Sequence, residues 1–454
     1  MVPESQLSPE ERVTKAGLPG KKSPGLHAFY RGKVEMALKC SINSFDDFGI
    51  WYTPGVAVPC KEIYEDPAKV NEYTNRANSI AIVSDGSRVL GLGNIGPLAA
   101  LPVMEGKALL FKYLGGVGAI PIVLDTQDPD EIIQAVKWLA PGFGGINLED
   151  LANPKCFYIL DRLREELDIP VWHDDQQGTA SITLASVINA LKVVGKDLKK
   201  VSYCVVGTGA ANIAFVRILI GAGIPAGNVL MVDSKGILHA GREDLEADKT
   251  RNAYKWQYAL ETNAEGRVGD MAHAIEGADV LIAASAPGPG TINKAWLTRM
   301  NPNAIAFLMA NPIPEIWPWE AREAGIRVVG TGRSDFPNQI NNSIGFPGIF
   351  RGTLDVFATT ITDEMAIAAA YAIAETAEAK GLSETYIVPT MMETEVFVNE
   401  AVAVGLKAIE QGIARRVLAA DDLRAEAESK IHHAQAETKA LMDAGIIAPS
   451  PQFL

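Results

Sequence analysis

The chain has 454 residues, of which 48% are hydrophobic and 21% charged, and its formal net charge is −14 at pH 7. This length suits two or three domains with a sizeable core, and the composition argues against long disordered tracts. The negative charge disfavours nucleic acid and anionic membrane surfaces as partners. No apolar stretch reaches membrane-spanning length without charges or breaks, and we find no secretory signal. The four cysteines form no CxxC pair, so we expect free thiols and a cytoplasmic location.

The hydrophobic pattern divides the chain into three regions, which we predict to be domains. Residues 1–180 are mixed, residues 181–345 alternate between strands and helices, and residues 346–454 are helical and rich in Ala and Glu. The alternation predicts a doubly wound parallel sheet of the Rossmann type. Its predicted strands are 201–206, 229–232, 280–283, 305–309 and 328–329, and helices are predicted in the last region at 366–379 and 397–419. The predicted fold class is therefore α/β, with an N-terminal α/β domain, a Rossmann-type domain and a helical C-terminal segment.

Two local elements are predicted in the first region. Residues 80–84 and 89–92 flank Asp85-Gly86-Ser87-Arg88, and the Asp-Gly step indicates a β-hairpin. Further on, Asn153 is a plausible N-cap and Pro154 suits the first position of a helix. Apolar residues then recur at helical spacing up to Leu167.

Two acidic doublets flank this helix, Glu149-Asp150 and Asp174-Asp175, and each follows an apolar run that we predict to be a short strand. In such a βαβ unit both doublets lie at the carboxyl ends of parallel strands, where open α/β sheets bind ligands. Up to four carboxylates crowded there would repel one another unless a cation held them. Oxygen-only ligation favours Mg²⁺ or Mn²⁺ over zinc. We therefore predict a divalent-metal site, with His173 beside it in an orienting or packing role.

Two glycine-rich turns compete for a dinucleotide. The turn at Gly91–Gly96 matches GxGxxG in full, but it follows the predicted hairpin, and its glycines are interpreted as serving a tight turn, with substrate contact as the alternative. The turn at Gly207–Asn212 lacks the third glycine, yet it follows a strand and opens a predicted helix at 211–220. The next strand ends in Asp233, close to the spacing at which an acid meets the adenosine ribose. We therefore expect the second turn to hold the pyrophosphate at its helix N-terminus.

A series of motifs over nearly the whole chain resembles the malic enzymes. In length and in the sequence of these motifs, the chain is most similar to the short prokaryotic form of that family. The motifs are Tyr52–Ala57, Ser84–Gly96, Met104–Lys107, Gly144–Asp150, His173–Gln176, Ala310–Pro312 and Gly332–Asn342. The resemblance implies oxidative decarboxylation of (S)-malate to pyruvate and CO₂, with reduction of NAD(P)⁺ and a requirement for Mg²⁺ or Mn²⁺. It also implies a homodimer.

Site residues follow from the matched positions. The resemblance implies that Glu149, Asp150 and Asp175 ligate the metal and that Asp174 lies behind them near the lysine. Lys107 would be the general base that takes the C2 hydroxyl proton, and Tyr52 the acid that protonates C3. An ammonium cannot act as a base, so burial beside a dication would have to lower the pKa of Lys107.

Further matched positions concern substrate and cofactor. Arg88 would bind a malate carboxylate, and Asn311 and Asn342 would contact substrate or nicotinamide. The residues expected to bind the dinucleotide are Gly207, Thr208, Gly209, Ala210, Ala211, Asp233, Ser234, Lys235 and Asn311. Asp233 favours NAD⁺ because a carboxylate accepts ribose hydroxyls and repels a 2′-phosphate. Ser234 and Lys235 could instead bind that phosphate, but we expect NAD⁺ because the carboxylate is a fixed penalty whereas a flexible lysine can point elsewhere.

Three other functions are alternatives to malate oxidation. A metal-free amino-acid dehydrogenase would share the dinucleotide fold and the lysine, but would not need Glu149, Asp150 and Asp175 together. Malolactic enzyme, which retains its cofactor and makes lactate, is excluded by no residue of this sequence. A non-catalytic dinucleotide sensor would tolerate loss of Lys107 or Tyr52, and both are present.

Overall fold

The strands of the computed structural model, which describes residues 7–451, form two sheets. The strands are β1 Ser79–Ser84, β2 Gly118–Val123, β3 Gly145–Leu148, β4 Val171–His173, β5 Tyr203–Val206, β6 Val229–Asp233, β7 Gly236–Ile237, β8 Val280–Ala283, β9 Ile305–Leu308 and β10 Val328–Thr331. The first sheet has the order β2-β1-β3-β4, and the second has the order β10-β9-β8-β5-β6-β7.

Helices surround both sheets and make up most of the C-terminal part. They are α1 Pro9–Ala16, α2 Leu18–Tyr30, α3 Asp46–Trp51, α4 Ala57–Glu65, α5 Val70–Tyr73, α6 Gly96–Gly115, α7 Pro129–Leu139, α8 Lys155–Glu166, α9 Thr179–Val194, α10 Ala210–Gly221, α11 Glu243–Ala247, α12 Ala253–Glu261, α13 Met271–Ile275, α14 Lys294–Leu297, α15 Pro318–Glu323, α16 Phe346–Asp355, α17 Asp363–Glu378, α18 Glu395–Glu410 and α19 Ala420–Asp443. Within residues 7–451, no helix combines the length and the apolar character needed to cross a membrane.

The predicted hairpin is wrong, because β1 is an inner strand rather than one arm of a ribbon. It pairs in parallel with β2 on one side and with β3 on the other. Both hydrogen-bonding edges of β1 are therefore taken, and residues 85–95 form a loop between β1 and α6. Within that loop Val89 makes only an isolated bridge to Gly93. The GxGxxG turn thus follows a strand and opens a helix, contrary to the context expected for it.

The β3–α8–β4 unit is confirmed, and β3 and β4 pair in parallel. The buried face of α8 carries Cys156, Ile159, Leu160 and Leu163, as the helical spacing predicts. The cap is shifted: the helix begins at Lys155, so Pro154 takes the N-cap position in place of Asn153. The amide of Asn153 is used elsewhere, since its Nδ2 donates to the carbonyl oxygen of Thr208 at 3.1 Å.

The second sheet confirms the predicted parallel, doubly wound arrangement. Its five predicted strands are present and pair in parallel. The two-residue antiparallel strand β7 at the edge was not predicted from the sequence. Strands β5, β8, β9 and β10 are buried along their whole length, as expected where helices cover both faces.

The C-terminal region is helical as predicted, with one boundary misplaced. The helix expected at 397–419 ends at Glu410, and Gly412 follows in the left-handed region at φ +70°. The long helix α19 then packs against α6 of the first region. Lys112 of α6 forms an ion pair with Glu437 at 2.8 Å, and Gln435 Nε2 donates to the carbonyl oxygen of Tyr113 at 3.2 Å. The C-terminal helices thereby support the helix that carries Lys107.

Candidate active site

Three carboxylates meet where β3 and β4 end. Glu149 and Asp150 follow β3, and Asp175 follows β4 by two residues. Because these strands are parallel neighbours, their carboxyl ends lie side by side, and one oxygen from each acid lies within 4.8 Å of the others. The two doublets singled out in the sequence thus form a single cluster.

Backbone contacts hold this cluster in place. Asp150 adopts a left-handed conformation at φ +55°. Its N–H donates to Asp175 Oδ2 at 2.8 Å, and its carbonyl oxygen accepts from the N–H of Arg88 at 2.9 Å. Asn147 Nδ2 donates to Glu149 Oε2 at 2.8 Å. These contacts connect the loops after β1, β3 and β4.

The acids fit a hard divalent cation. Burial, with Asp175 as a like charge beside it, raises the pKa of Asp150 to about 8, and burial raises the pKa of Glu149 well above its usual range. The buried Oδ2 of Asp150 has no hydrogen-bond partner among the described residues. Mg²⁺ and Mn²⁺ prefer oxygen ligands such as these carboxylates. A cation here would also relieve the repulsion among the buried acids and would give the unpartnered Oδ2 of Asp150 a ligand.

Lys107 of α6 lies against the same cluster. Its Nζ is 2.5 Å from Asp174 Oδ2 and 2.9 Å from Glu149 Oε1, and its side chain is 7% exposed. The ring centroid of Phe346 lies 4.3 Å from the ammonium. Burial works to lower the pKa of Lys107, but Asp174 and Glu149 outweigh it, so the pKa is raised. One ammonium cannot neutralise all the carboxylates around it, and burial keeps the pKa of Glu149, Asp150 and Asp174 raised.

Asp174 is fixed in a single orientation. Its Oδ1 accepts from Trp172 Nε1 at 3.0 Å, while Oδ2 faces Lys107. The chain from Asp174 to Gly178 forms a π-helical turn before α9. A Cβ at Gly178 would stand 1.9 Å from Asp174 Oδ1 and 3.3 Å from the Cβ of Asn342. The glycine therefore leaves room for Asp174, and the predicted substrate residue Asn342 lies beside it.

His173, the last residue of β4, is fully buried, and within residues 7–451 neither ring nitrogen has a hydrogen-bond partner. Burial lowers its pKa. His173 Nδ1 lies 3.9 Å from Asp175 Oδ2, outside hydrogen-bonding distance. The ring of His173 is therefore buried beside the acidic cluster, and its orienting or packing role stays a prediction.

The turn from Gly207 to Ala211 joins β5 to α10 and has the form of a phosphate-binding loop. Gly207 has φ +101°, and a Cβ there would meet the carbonyl oxygen of Ala284 at 2.6 Å. Among residues 7–451, no atom beyond Gly209 and its chain neighbours lies within 4 Å of where a Cβ would stand, and no side chain caps the N-terminus of α10. Asn212 compensates for the missing third glycine, since its Nδ2 donates to the carbonyl oxygens of Val206 and Gly207 at 2.8 and 3.1 Å. These features fit a dinucleotide pyrophosphate.

Asp233 ends β6, as predicted, but two cations missed by the sequence analysis hold its carboxylate. Arg242 donates to both carboxylate oxygens, at 3.2 and 3.1 Å, and Lys255 Nζ lies 2.5 Å from Oδ2. Neither residue carries a motif signal, because Arg242 belongs to a loop and Lys255 to α12. Lys235 pairs with Asp244 at 2.9 Å.

The remaining predicted residues lie outside the acidic cluster. Tyr52 caps the C-terminus of α3 and is 72% exposed. Arg88 is exposed, and its guanidinium has no ion-pair partner among the residues described. Asn311 follows β9, where a Cβ at Gly91 would stand 2.4 Å from its carbonyl oxygen. Gly91 therefore permits the loop after β1 to touch the loop after β9.

One further residue, missed by the sequence analysis, supports the Asn311 loop. Glu315 is fully buried and accepts from the N–H groups of Ser285 at 2.9 Å and Ala310 at 3.2 Å. Its carboxylate thereby ties together the loops after β8 and β9. Burial raises the pKa of Glu315 to about 7. A glutamate three residues after Pro312 gives no local signal of this role.

Two family models match the chain over most of its length. The model for the malic enzyme N-terminal domain matches residues 31–164, and the model for the malic enzyme NAD-binding domain matches residues 176–323 and 325–409. The crystal structure of Entamoeba histolytica malic enzyme is 45% identical, with a TM-score of 0.96, and the match covers 98% of this chain and 93% of that one.

Curated relatives carry matching names. A bifunctional malic/malolactic enzyme of Bacillus subtilis is 48% identical, with 86% of this chain and 93% of the relative covered. An NAD-dependent malic enzyme of Geobacillus stearothermophilus is 50% identical, with 85% and 78% covered. An NADP-dependent malic enzyme of Halomonas elongata is 42% identical, with 85% and 92% covered. The chain is therefore a member of the malic enzyme family.

Proposed function

We propose that this chain converts (S)-malate to pyruvate and CO₂ with reduction of NAD(P)⁺, using Mg²⁺ or Mn²⁺ held by Glu149, Asp150 and Asp175. The observation that carries the proposal is the buried acidic cluster in direct contact with Lys107. When bound, the cation would polarise the C2 oxygen of the substrate and stabilise the charge that develops on loss of CO₂. The nicotinamide would accept the hydride.

Lys107 is the proposed general base for the C2 hydroxyl proton. Its ammonium is now stabilised by Asp174 and Glu149. A dication that takes up the charge of Glu149 would remove part of this stabilisation, and burial would then lower the pKa of Lys107 toward the neutral amine that a base requires. Asp174, held by Trp172, positions the Nζ atom and can receive the proton from it.

Substrate and cofactor contacts are proposed for residues around the cluster. Arg88 is exposed and free to bind a malate carboxylate through its guanidinium fork. Asn342 lies beside Gly178 at the cluster, and Asn311 lies on the loop that touches Gly91. The turn at Gly207–Ala211 would hold the pyrophosphate through free amides at the start of α10.

Tyr52 is the proposed acid that protonates C3.

We also propose a homodimer, because the segment around Tyr52 exposes large apolar side chains. They include Met36 at 90%, Phe45 at 88% and Tyr64 at 88% exposed. Such a surface is typical of a protein interface. Light scattering of the purified chain measures the dimer directly, and a monomer at working concentration would contradict it.

A cytoplasmic location belongs to the same proposal and is supported by the four free thiols.

Conversion of malate to lactate is the second candidate, because the Bacillus subtilis relative is named as both a malic and a malolactic enzyme. The two reactions differ in whether the reduced cofactor is released. Malate incubated with substoichiometric cofactor would give lactate in excess over NAD(P)H if the malolactic reaction dominates. We expect pyruvate and NAD(P)H in equal amounts.

The experiment that tests the main proposal compares Glu149→Gln with Glu165→Gln. Glu165 is an exposed acid of the neighbouring helix α8 and serves as the control. Formation of NAD(P)H from malate is followed with Mn²⁺ present, and Mn²⁺ binding is measured separately by titration calorimetry. We expect Glu149→Gln to lose both activity and Mn²⁺ affinity while Glu165→Gln keeps both. Parental activity in Glu149→Gln would refute the proposed site.

A further inference from the structure

Glu400 of α18 is a buried acid that the proposed chemistry does not use. Its side chain has no exposed surface, and within residues 7–451 neither carboxylate oxygen has a hydrogen-bond partner. Burial raises the pKa of Glu400 well above its usual range, so the carboxyl group carries a proton at neutral pH. A buried polar group without a partner costs free energy of folding. Such a cost is expected at a residue that serves function rather than stability.

The carboxyl group lies at the start of α16, where α16 and α18 cross closely. A Cβ at Gly348, in the first turn of α16, would stand 2.5 Å from Glu400 Oε2 and 2.9 Å from the carbonyl oxygen of Phe397. Gly348 therefore leaves the space that Glu400 fills. Among the described residues no side chain caps this end of α16, and the leading amide groups of a helix have no partner inside it. Glu400 is thus the polar side chain at an otherwise uncapped helix start.

Three oxygen atoms surround Gly345, the residue before α16. A Cβ there would stand 3.6 Å from the carbonyl oxygen of Asn342, and 3.8 Å from both the carbonyl oxygen of Gly178 and Glu400 Oε1. Carbonyl oxygens only accept hydrogen bonds, so they would repel an ionised carboxylate, whereas a protonated carboxyl group can donate its O–H to one of them. Gly178 ends the π-helical turn that begins at Asp174. Glu400 is therefore placed to connect the start of α16 with that turn.

The residues on either side of Gly345 reach the lysine site. Phe346, the first residue of α16, has its ring centroid 4.3 Å from Lys107 Nζ, and the ring packs against Phe111 of α6 with a centroid separation of 4.5 Å. Asn342 lies beside Gly178, whose added Cβ would stand 3.3 Å from the Cβ of Asn342. A shift of this segment would therefore move the aromatic ring and the asparagine together.

We propose that Glu400 is a positioning residue for malate oxidation, whose carboxyl group holds the segment Asn342–Phe346 in place against Lys107. The inference rests on the proposed function, since it takes Lys107 as the base and Asn342 as a substrate contact. Glu400 acts through this segment and takes no proton from the substrate. Its loss should therefore impair the chemistry without unfolding the chain.

The test compares Glu400→Gln and Glu400→Met with the matched controls Glu410→Gln and Glu410→Met. Glu410 is an exposed acid at the end of the same helix, 2.6 Å from Lys407. Glutamine keeps a hydrogen-bond donor in nearly the same volume, whereas methionine keeps the volume alone. Because methionine also removes the cost of burying a polar group, Glu400→Met should melt within about 3 °C of the parent or above it. A residue that served stability alone would give a large fall in melting temperature instead.

Steady-state malate oxidation at saturating Mn²⁺ gives the kinetic measurement. We expect kcat to fall about tenfold in Glu400→Met, as for the loss of one hydrogen bond that positions a reacting group. In Glu400→Gln and in both controls kcat should stay near parental, because the donor is kept or was never involved. Mn²⁺ affinity, measured by titration calorimetry, should be parental in all four variants, because the three proposed metal ligands lie on other segments.

Hydrogen exchange of the full chain with Mn²⁺ gives a readout that does not depend on catalysis. Amide protons of residues 342–349 should exchange faster in Glu400→Met than in the parent, and at the parental rate in Glu400→Gln. Parental kcat or parental exchange in Glu400→Met would overturn the inference. So would failure of Glu400→Met to fold, or a loss of kcat in Glu400→Gln as large as in Glu400→Met. Absence of malate oxidation in the parent would refute the proposed function, while the exchange measurement would still decide whether Glu400 holds the segment.

Discussion

Gly178→Ala tests how closely the lysine site is packed. The new methyl group would stand 1.9 Å from Asp174 Oδ1 and 2.8 Å from its Cγ, so the carboxylate must move. Moving it breaks the contacts with Lys107 at 2.5 Å and with Trp172 Nε1 at 3.0 Å. A hydrogen bond to a charged group is worth about 1.5–3 kcal/mol, and overpacking costs about 1–3 kcal/mol. We expect a loss of about 2.5–6 kcal/mol in the free energy of unfolding.

The effect on catalysis should be larger than a general loss of stability explains. A displacement of about 1 Å at a catalytic group can lower the rate about a hundredfold, and Lys107 would lose its positioning partner. Urea unfolding and steady-state malate oxidation at a temperature where the variant is folded measure the two effects separately. The matched control is Gly142→Ala, because an added Cβ there would meet no atom of the described residues within 4 Å beyond its chain neighbours. Parental stability and kcat in Gly178→Ala would refute this account of Asp174.

Three further predictions concern the acids, the lysine and pH. Asp175→Asn should abolish metal-dependent decarboxylation while dinucleotide affinity, measured by titration, stays near parental, because the turn at Gly207 lies on the other sheet; near-parental activity and metal affinity would exclude Asp175 as a ligand. Lys107→Ala should slow malate oxidation by a factor of about 10²–10⁴ and should affect the decarboxylation of supplied oxaloacetate far less. Malate oxidation at the parental rate in Lys107→Ala would show that another residue is the base. Tyr52→Phe should slow protonation of the enol. The metal-free chain should lose thermal stability as pH rises from about 4 to about 8. In the unfolded chain Asp150 ionises at its ordinary pKa of about 3.9, whereas in the folded chain it keeps its proton up to a pH of about 8. Asp150→Asn should flatten that slope in thermal melts, and a parent that gains stability relative to Asp150→Asn over this range would contradict the assignment.

The local sequence pattern was sufficient to predict those elements that pack against the next elements along the chain. The β3–α8–β4 unit and the parallel second sheet could be predicted because alternating apolar runs and helices leave few topologies. The acidic cluster was predictable for the same reason, since parallel neighbours bring Glu149 and Asp175 to one edge. The hairpin was wrong because the Asp85-Gly86 step satisfies a local rule, while the pairing of β1 is decided by strands β2 and β3 far along the chain.

Most of the contacts that could not be predicted from the sequence join residues that lie far apart along the chain. Arg242 and Lys255 reach Asp233 from a loop and from α12, and no motif marks either residue. Glu315 likewise acts by joining two loops that only the folded sheet brings together. Such contacts depend on the packing of separate elements, so a residue-type argument about Asp233 alone omitted the charges that surround it.

The claim that the acidic cluster holds the cation on which malate decarboxylation depends is tested most directly by titrating Mn²⁺ into the chelator-treated parent. Bound Mn²⁺ and the rate of NAD(P)H formation from malate are measured in the same samples. The account predicts one Mn²⁺ per chain, no activity before addition, and a rate that rises in proportion to occupancy of that site. Full activity without the cation, or Mn²⁺ binding that saturates without any rise in rate, would contradict it.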